Sequence, residues 1–115
     1  MKLTVLGEYN LALRLEQGGK VLVYTGDAGP ETDWGDFCRE ADVLLCETSM
    51  FEKEAGLFPG HLTTRQAAEL ALAAGAGRLL LTHFPHLGGP EAMEAEARRY
   101  FPRTERTVVG GVYEI

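Results

Sequence analysis

The stretch DVLLCETSM, residues 42–50, opens on an acid, runs through four apolar residues from Val43 to Cys46 and stops on Glu47. A strand that is apolar at successive positions, not only at alternate ones, suits a sheet interior covered on both faces. Asp42 to Glu47 is therefore predicted as a buried strand, and the chain as an α/β protein. The run RLLLTHF, residues 78–84, repeats the pattern: Arg78 to Thr82 reads as a second buried strand ending at His83. Between the two lies Thr63-Thr64-Arg65-Gln66. A threonine cap can accept from the third helical amide while the Gln66 side chain returns a bond, so a helix is predicted to start at Thr63. Ala67, Leu70, Ala71 and Ala74 follow at helical spacing, and Gly75 with Gly77 supplies the left-handed stop.

Upstream, Val21 to Tyr24 is a third run that delivers the chain to Gly26-Asp27. Gln17-Gly18-Gly19 is a turn signal, and Leu11, Leu13 and Leu15 alternate with polar residues between Asn10 and Glu16, which predicts a hairpin. Lys2 to Leu6 reads as one more short strand. Beyond Gly29-Pro30, Thr32 or Asp33 could cap a short helix through Glu40, with Trp34, Phe37 and Cys38 turned to a core. Ser49 to Gly60 has no clear period and is predicted as a surface loop. A further helix is predicted from Pro90 to about Tyr100, with Met93, Ala97 and Phe101 inward and Pro102 ending it. A last strand is expected over Thr107–Val109 and Val112–Ile115, bulged at Gly110-Gly111. The order is strands, helix, strand, helix, strand, helix, strand, an α/β alternation around a mixed sheet.

Residues 1–115 suffice for a single domain. An apolar share of 45% and a charged share of 24% match an ordinary globular protein, and no run reaches the roughly 18 apolar residues of a membrane span. The start MKLTVLGEYN has no apolar stretch of signal-peptide length, so a cytoplasmic protein is expected. Eleven basic against seventeen acidic residues give a net charge of −6, which argues against non-specific binding to nucleic-acid backbones. Cys38 and Cys46 fit neither a C-x-x-C redox pair nor a zinc knuckle and read as small buried residues.

Asp27, Glu47 and His83 all stand where a buried run stops. The carboxyl ends of strands in open α/β sheets border the crevice where ligands gather. Taken singly, Asp27 also suits a turn in Gly-Asp-Ala-Gly, and His83 also suits a hydrogen-bonded core position.

The segments VYTGDAGP, DVLLCETSM, PGHLTTRQAAELA and RLLLTHF together resemble four ordered motifs of metallo-β-lactamase-fold hydrolases, in particular the ribonuclease Z-like phosphodiesterases, over about residues 9 to 115. The resemblance implies half of an αββα sandwich, a mixed β-sheet with helices on one face. It implies metal ligation by Asp27 and His83, with zinc, manganese or iron in a two-metal site. A carboxylate can hold two cations about 3.5–4 Å apart, and imidazole suits zinc and similar ions. It also implies that His61 is the acid that assists the leaving oxygen and that Glu47 is its partner, since a carboxylate bonded to one ring nitrogen fixes the imidazole's orientation. Local reading alone would leave His61 on a loop carbonyl and Glu47 in a turn. The helix opening at Thr63 and Thr64 is expected to aim free amides at a phosphodiester or small ester substrate. His86 is left as a surface residue.

Two departures from the family are plain. The H-x-H-x-D-H segment is absent, and Glu8-Tyr9-Asn10 passes straight from a family-like first strand into family-like second-half sequence. Two matched ligands fall short of the three that even a single catalytic zinc usually takes, so a metal-dependent hydrolase site incomplete in the isolated chain is expected. Half a sandwich also leaves an apolar sheet face open, and a homodimer is expected to cover it. The alternatives are a non-catalytic, dimerising or binding module on the same scaffold and, less well matched, a phospho-acceptor type of doubly wound domain.

Overall fold

Gly18 and Gly19 both have positive φ, 59° and 77°, which is what a two-residue turn needs to match the right-handed twist of the strands it joins. Around it the computed structural model, which describes residues 1–86 and 88–115, forms the hairpin of β2 (Ala12–Gln17) and β3 (Lys20–Tyr24). β1 (Lys2–Leu6) adds antiparallel to β2. β4 (Val43–Glu47), β5 (Leu79–Thr82) and β6 (Thr104–Arg106) then add in parallel, giving one mixed six-stranded sheet in sequential order. Two helices, α1 (Thr64–Ala74) and α2 (Pro90–Arg98), provide the last two parallel crossovers.

Register explains how the faces divide. Val23, Leu44, Cys46, Leu79 and Leu81 share the side on which α1 places Ala67, Ala68 and Ala71, α2 places Ala97 and the chain just beyond α2 places Phe101, and all of these belong to the core. Alanine at the contact lets a helix approach the sheet closely. On the opposite side Leu3, Leu15 and Leu22 stand in line across three strands, as do Val5, Leu13, Tyr24 and Leu45 across four. Leu3 is 55% and Val5 47% exposed, so this apolar face is open at its β1 edge. The fold is the expected α/β half-sandwich, a mixed sheet with helices on one face.

The predicted capping box is present: Thr63 Oγ1 accepts from the Gln66 amide at 3.1 Å, and Gln66 Oε1 accepts from the Thr63 amide at 2.9 Å. Gly75 (φ 68°) closes α1. Cys38 and Cys46 are free thiols in the interior; burial pushes Cys38 up to about 12 and Cys46 higher still, so both behave as buried apolar groups. Among the described residues no helix is long and apolar enough to cross a membrane.

Two predicted elements are corrected. Residues 32–40 form a chain of turns, with amide bonds from Phe37 to Trp34, Arg39 to Asp36 and Ala41 to Cys38. Left-handed Gly35 (φ 50°) and Glu40 (φ 55°) interrupt any helix, while Trp34, Phe37 and Cys38 still face the core. The last strand is Thr104–Arg106, not Thr107–Ile115: Thr107 makes one more bond to Leu81 O (2.9 Å), and a turn closed by Gly111 N to Val108 O (2.9 Å) leads the chain out of the sheet. The predicted 49–60 loop contains a 3-10 turn at Glu52–Glu54 and a buried Met50 that bridges to Thr63.

Because Thr63 is a buried cap, Thr63→Ala is expected to lower unfolding free energy by about 1 kcal/mol, read as a shift in urea midpoint at unchanged slope.

Candidate functional site

The parallel strands β3, β4 and β5 end at one edge of the sheet, and the polar residues that terminate them meet there. Thr25 ties the first two ends: its amide donates to Leu45 O (3.0 Å), and its hydroxyl accepts from the Glu47 amide (3.1 Å) while donating to Gly26 O (2.8 Å). Gly26 has φ 60°, and a Cβ there would lie 2.5 Å from Leu11 O. Only glycine permits this close approach, from which the chain turns to present Asp27. The register sets Glu47 beside Thr82, which brings His83 alongside the end of β4. His61 arrives on the loop before α1, zipped to the end of β4 by Ser49 N to Leu62 O (3.0 Å) and Thr64 N to Met50 O (2.9 Å).

Two carboxylate–imidazole pairs result. Glu47 Oε1 lies 2.7 Å from His61 Nδ1, with the glutamate side chain 1% and the histidine 30% exposed. Asp27 Oδ1 lies 3.4 Å from His83 Nε2, and these side chains are 40% and 49% exposed. The two imidazoles stack with centroids 5.6 Å apart and planes 13° apart. His83 has φ 59°, a left-handed conformation uncommon for histidine, and strained backbone of this kind concentrates where side-chain placement matters for function.

The structure thus brings Asp27, Glu47, His61 and His83 together, and it corrects the reading of Thr63 and Thr64. Their amides are not free: Thr63 donates to Gln66 Oε1 and Thr64 to Met50 O. Their hydroxyls are buried as well, Thr63 as the α1 cap and Thr64 in a hydrogen bond to Glu96 on α2. Both serve the fold. His86 is exposed, as expected. Ser49, assigned no role from the sequence, has its hydroxyl 2.7 Å from Glu47 Oε2, 3.3 Å from His83 Nδ1 and 3.5 Å from His61 Nδ1. Its signal in the sequence was a hydroxyl two residues after a strand-ending carboxylate, a common pattern without the fold.

Glu47, His61 and His83 offer ligand atoms within 4.8 Å of one another, yet Glu47 is poorly suited to hold an ion. Its Oε1 accepts from the Ala28 amide (2.9 Å) and His61, and its Oε2 from the Leu62 amide (3.1 Å) and Ser49. Four donors fill a carboxylate's lone-pair sites. Asp27 and His83, paired and open to solvent, have the donor chemistry of a metal pair but number only two.

Comparison with known proteins places the family and the fold. A family model described as a beta-lactamase superfamily domain matches residues 5–84. The Bacillus subtilis (strain 168) protein named "Probable metallo-hydrolase YhfI" is 36% identical over 90 residues, 78% of this chain and 37% of that protein. Ribonuclease Z of Thermoplasma acidophilum is 40% identical over 90 residues, 75% of this chain and 29% of that enzyme. Among solved structures, the metallo-beta-lactamase fold protein YhfI from Bacillus subtilis superposes with a TM-score of 0.82 at 31% identity, covering 91% of this chain and 46% of that one. The short form of human tRNase Z superposes with a TM-score of 0.61 at 26% identity, covering 73% and 35%. The chain spans about a third of the length of the curated relatives it matches.

If backbone strain is what His83 tolerates for its position, His83→Gly is expected to be more stable than His83→Ala by about 1 kcal/mol in chelator-treated protein, measured by chemical denaturation. Equal stabilities would remove the strain argument.

Proposed function

Since the chain belongs to the beta-lactamase superfamily, with metallo-hydrolase and ribonuclease Z proteins among its relatives, we propose that this strand edge is the acid–base half and part of the metal shell of a metal-dependent hydrolase acting on phosphodiester or related ester bonds. The observation that carries it is the convergence of the 2.7 Å Glu47–His61 pair and the 3.4 Å Asp27–His83 pair on one stacked pair of imidazoles. Asp27 and His83 would hold the ion: zinc, manganese or iron. Such an ion, when bound, supplies a water acidic enough to act as hydroxide near neutral pH. Glu47, held by its four donors, fixes His61 through Nδ1 and leaves Nε2 to exchange a proton with the departing oxygen. The ribonuclease Z relatives support the phosphodiester class.

Two ligands do not close a catalytic zinc shell, and further ligands would have to join Asp27 and His83 there. A second copy of this chain, seated on the open Leu3, Val5, Leu13 and Leu15 face, is the occupant we favour, because a self-complementary apolar face is what a two-fold dimer buries. The open face equally supports a non-catalytic dimerising module, and metal retention separates the two.

Protein loaded with zinc or manganese and then desalted is expected to retain metal by elemental analysis, and Asp27→Asn or His83→Ala to lose it. His61→Asn is expected to keep the metal while hydrolysis of bis(p-nitrophenyl) phosphate falls by about 10²–10⁴-fold. A native chain that retains no metal leaves the non-catalytic module. For assembly, light scattering is expected to give twice the 12.6 kDa chain mass, and Leu3→Glu with Val5→Glu to give a monomer. A native monomer at micromolar concentration would exclude the dimer.

A further inference from the structure

We infer that Ser49 is a positioning residue that sets the tautomer of His83, leaving its Nε2 bare toward Asp27. The significance for metal binding rests on the hydrolase reading above, whereas the tautomer itself does not.

The serine has one hydroxyl hydrogen and three acceptors or donors within reach: Glu47 Oε2 at 2.7 Å, His83 Nδ1 at 3.3 Å and His61 Nδ1 at 3.5 Å. An ionised carboxylate can only accept, so at the shortest of these distances the hydrogen goes to Glu47. Toward the two rings the serine oxygen can then only accept. His61 Nδ1 is already committed to Glu47 Oε1 at 2.7 Å, far closer than to the serine. The bond left for Ser49 to accept is an N–H from His83 Nδ1. A neutral ring carrying its proton on Nδ1 has its lone pair on Nε2.

That lone pair faces Asp27 Oδ1 at 3.4 Å. A bare Nε2 beside a carboxylate oxygen offers a cation two donor atoms, so the tautomer that Ser49 selects makes the pair a cation receptor. The same serine runs a continuous path of hydrogen bonds from His61 through Glu47 to His83. Outer partners of this kind orient a ligating histidine, and their loss weakens metal affinity by about 10–100-fold.

The test uses the full chain, Ser49→Ala, and the conservative Ser49→Thr. Long-range proton–nitrogen NMR on the metal-free protein, at a pH alkaline enough for neutral rings, reports which nitrogen of His83 carries the proton. Native protein and Ser49→Thr are expected to show Nδ1–H with bare Nε2, and Ser49→Ala a mixture of tautomers. Zinc titration is expected to weaken by about 10–100-fold in Ser49→Ala and to recover in Ser49→Thr. A native His83 protonated on Nε2, or an unchanged tautomer in Ser49→Ala, overturns the inference. Should Ser49→Ala fail to fold, the native spectrum still decides. An Nδ1-protonated His83 in a chain that retains no metal upholds the role of Ser49 and removes the hydrolase reading.

Discussion

The site depends on one buried carboxylate. Glu47 stands at the end of β4 with its side chain almost wholly removed from water, and a charge in that position is costly unless donors replace the lost hydration. Here they come from four places in the chain: the Ala28 amide after β3, the Ser49 hydroxyl after β4, and the His61 ring and Leu62 amide before α1. None of these segments belongs to a strand or helix. The need of this single group for partners joins three irregular loops, alongside the backbone bonds of Ser49 N to Leu62 O and Thr64 N to Met50 O, and no buried side-chain oxygen or nitrogen among the described residues lacks a partner. Removing Glu47 would therefore take away four of the bonds that join the loops, and removing one donor would leave a buried charge short of solvation.

The scaffold that holds Glu47 is asymmetric. Its helix-covered face is closed by alanines and leucines with almost no exposure, while the opposite face carries two apolar rows that end in exposed Leu3 and Val5. A patch of this kind, continuous across the antiparallel strands, is a surface that association covers. It lies on the face opposite the helices, so a partner there need not displace the packing that supports the strand-end site.

How much of this was legible in the sequence follows from where local and tertiary forces agree. The strands ending at Glu47 and His83, the glycine turn and the Thr63 cap were readable because each is decided within a few residues, by unbroken apolar runs, positive φ or a capping pair. The 32–40 segment was not: Glu40 takes a left-handed conformation and donates its amide to Ala74 O (2.7 Å), a bond to a residue 34 positions away that no local pattern announces. The β-branched residues Thr107 to Val109 looked more strand-like than Thr104-Glu105-Arg106. Yet α2 fastens the latter, Glu94 accepting from the Arg106 amide and guanidinium and Arg98 donating to Thr104 O. Thr64 was misread for the same reason, since the partners that consume its amide and hydroxyl lie on the preceding loop and on α2, whereas those of Thr63 are the Gln66 side chain and amide of the capping box itself. The four site residues emerged from their places at strand ends and from the resemblance, but Ser49 could be given a role only once the two histidines were known to flank it.

The two carboxylate–imidazole pairs share their residue types and differ in environment, and that difference assigns their roles. Glu47 is buried and saturated, so it has no lone pair to offer an ion and acts by holding His61. Asp27 is half exposed and its nearest imidazole partner is 3.4 Å away, longer than a normal hydrogen bond, so its oxygens remain available. Exchange of the two environments would exchange the chemistry. The stacking of His61 on His83 then matters less as an attraction between rings than as a measure of reach: with centroids 5.6 Å apart, it sets the ring we propose as the proton donor beside the pair we propose to hold a cation. On the proposed hydrolase reading, a phosphodiester spanning that distance would meet charge neutralisation at one end and protonation at the other, and the saturation of Glu47 would keep those two functions apart.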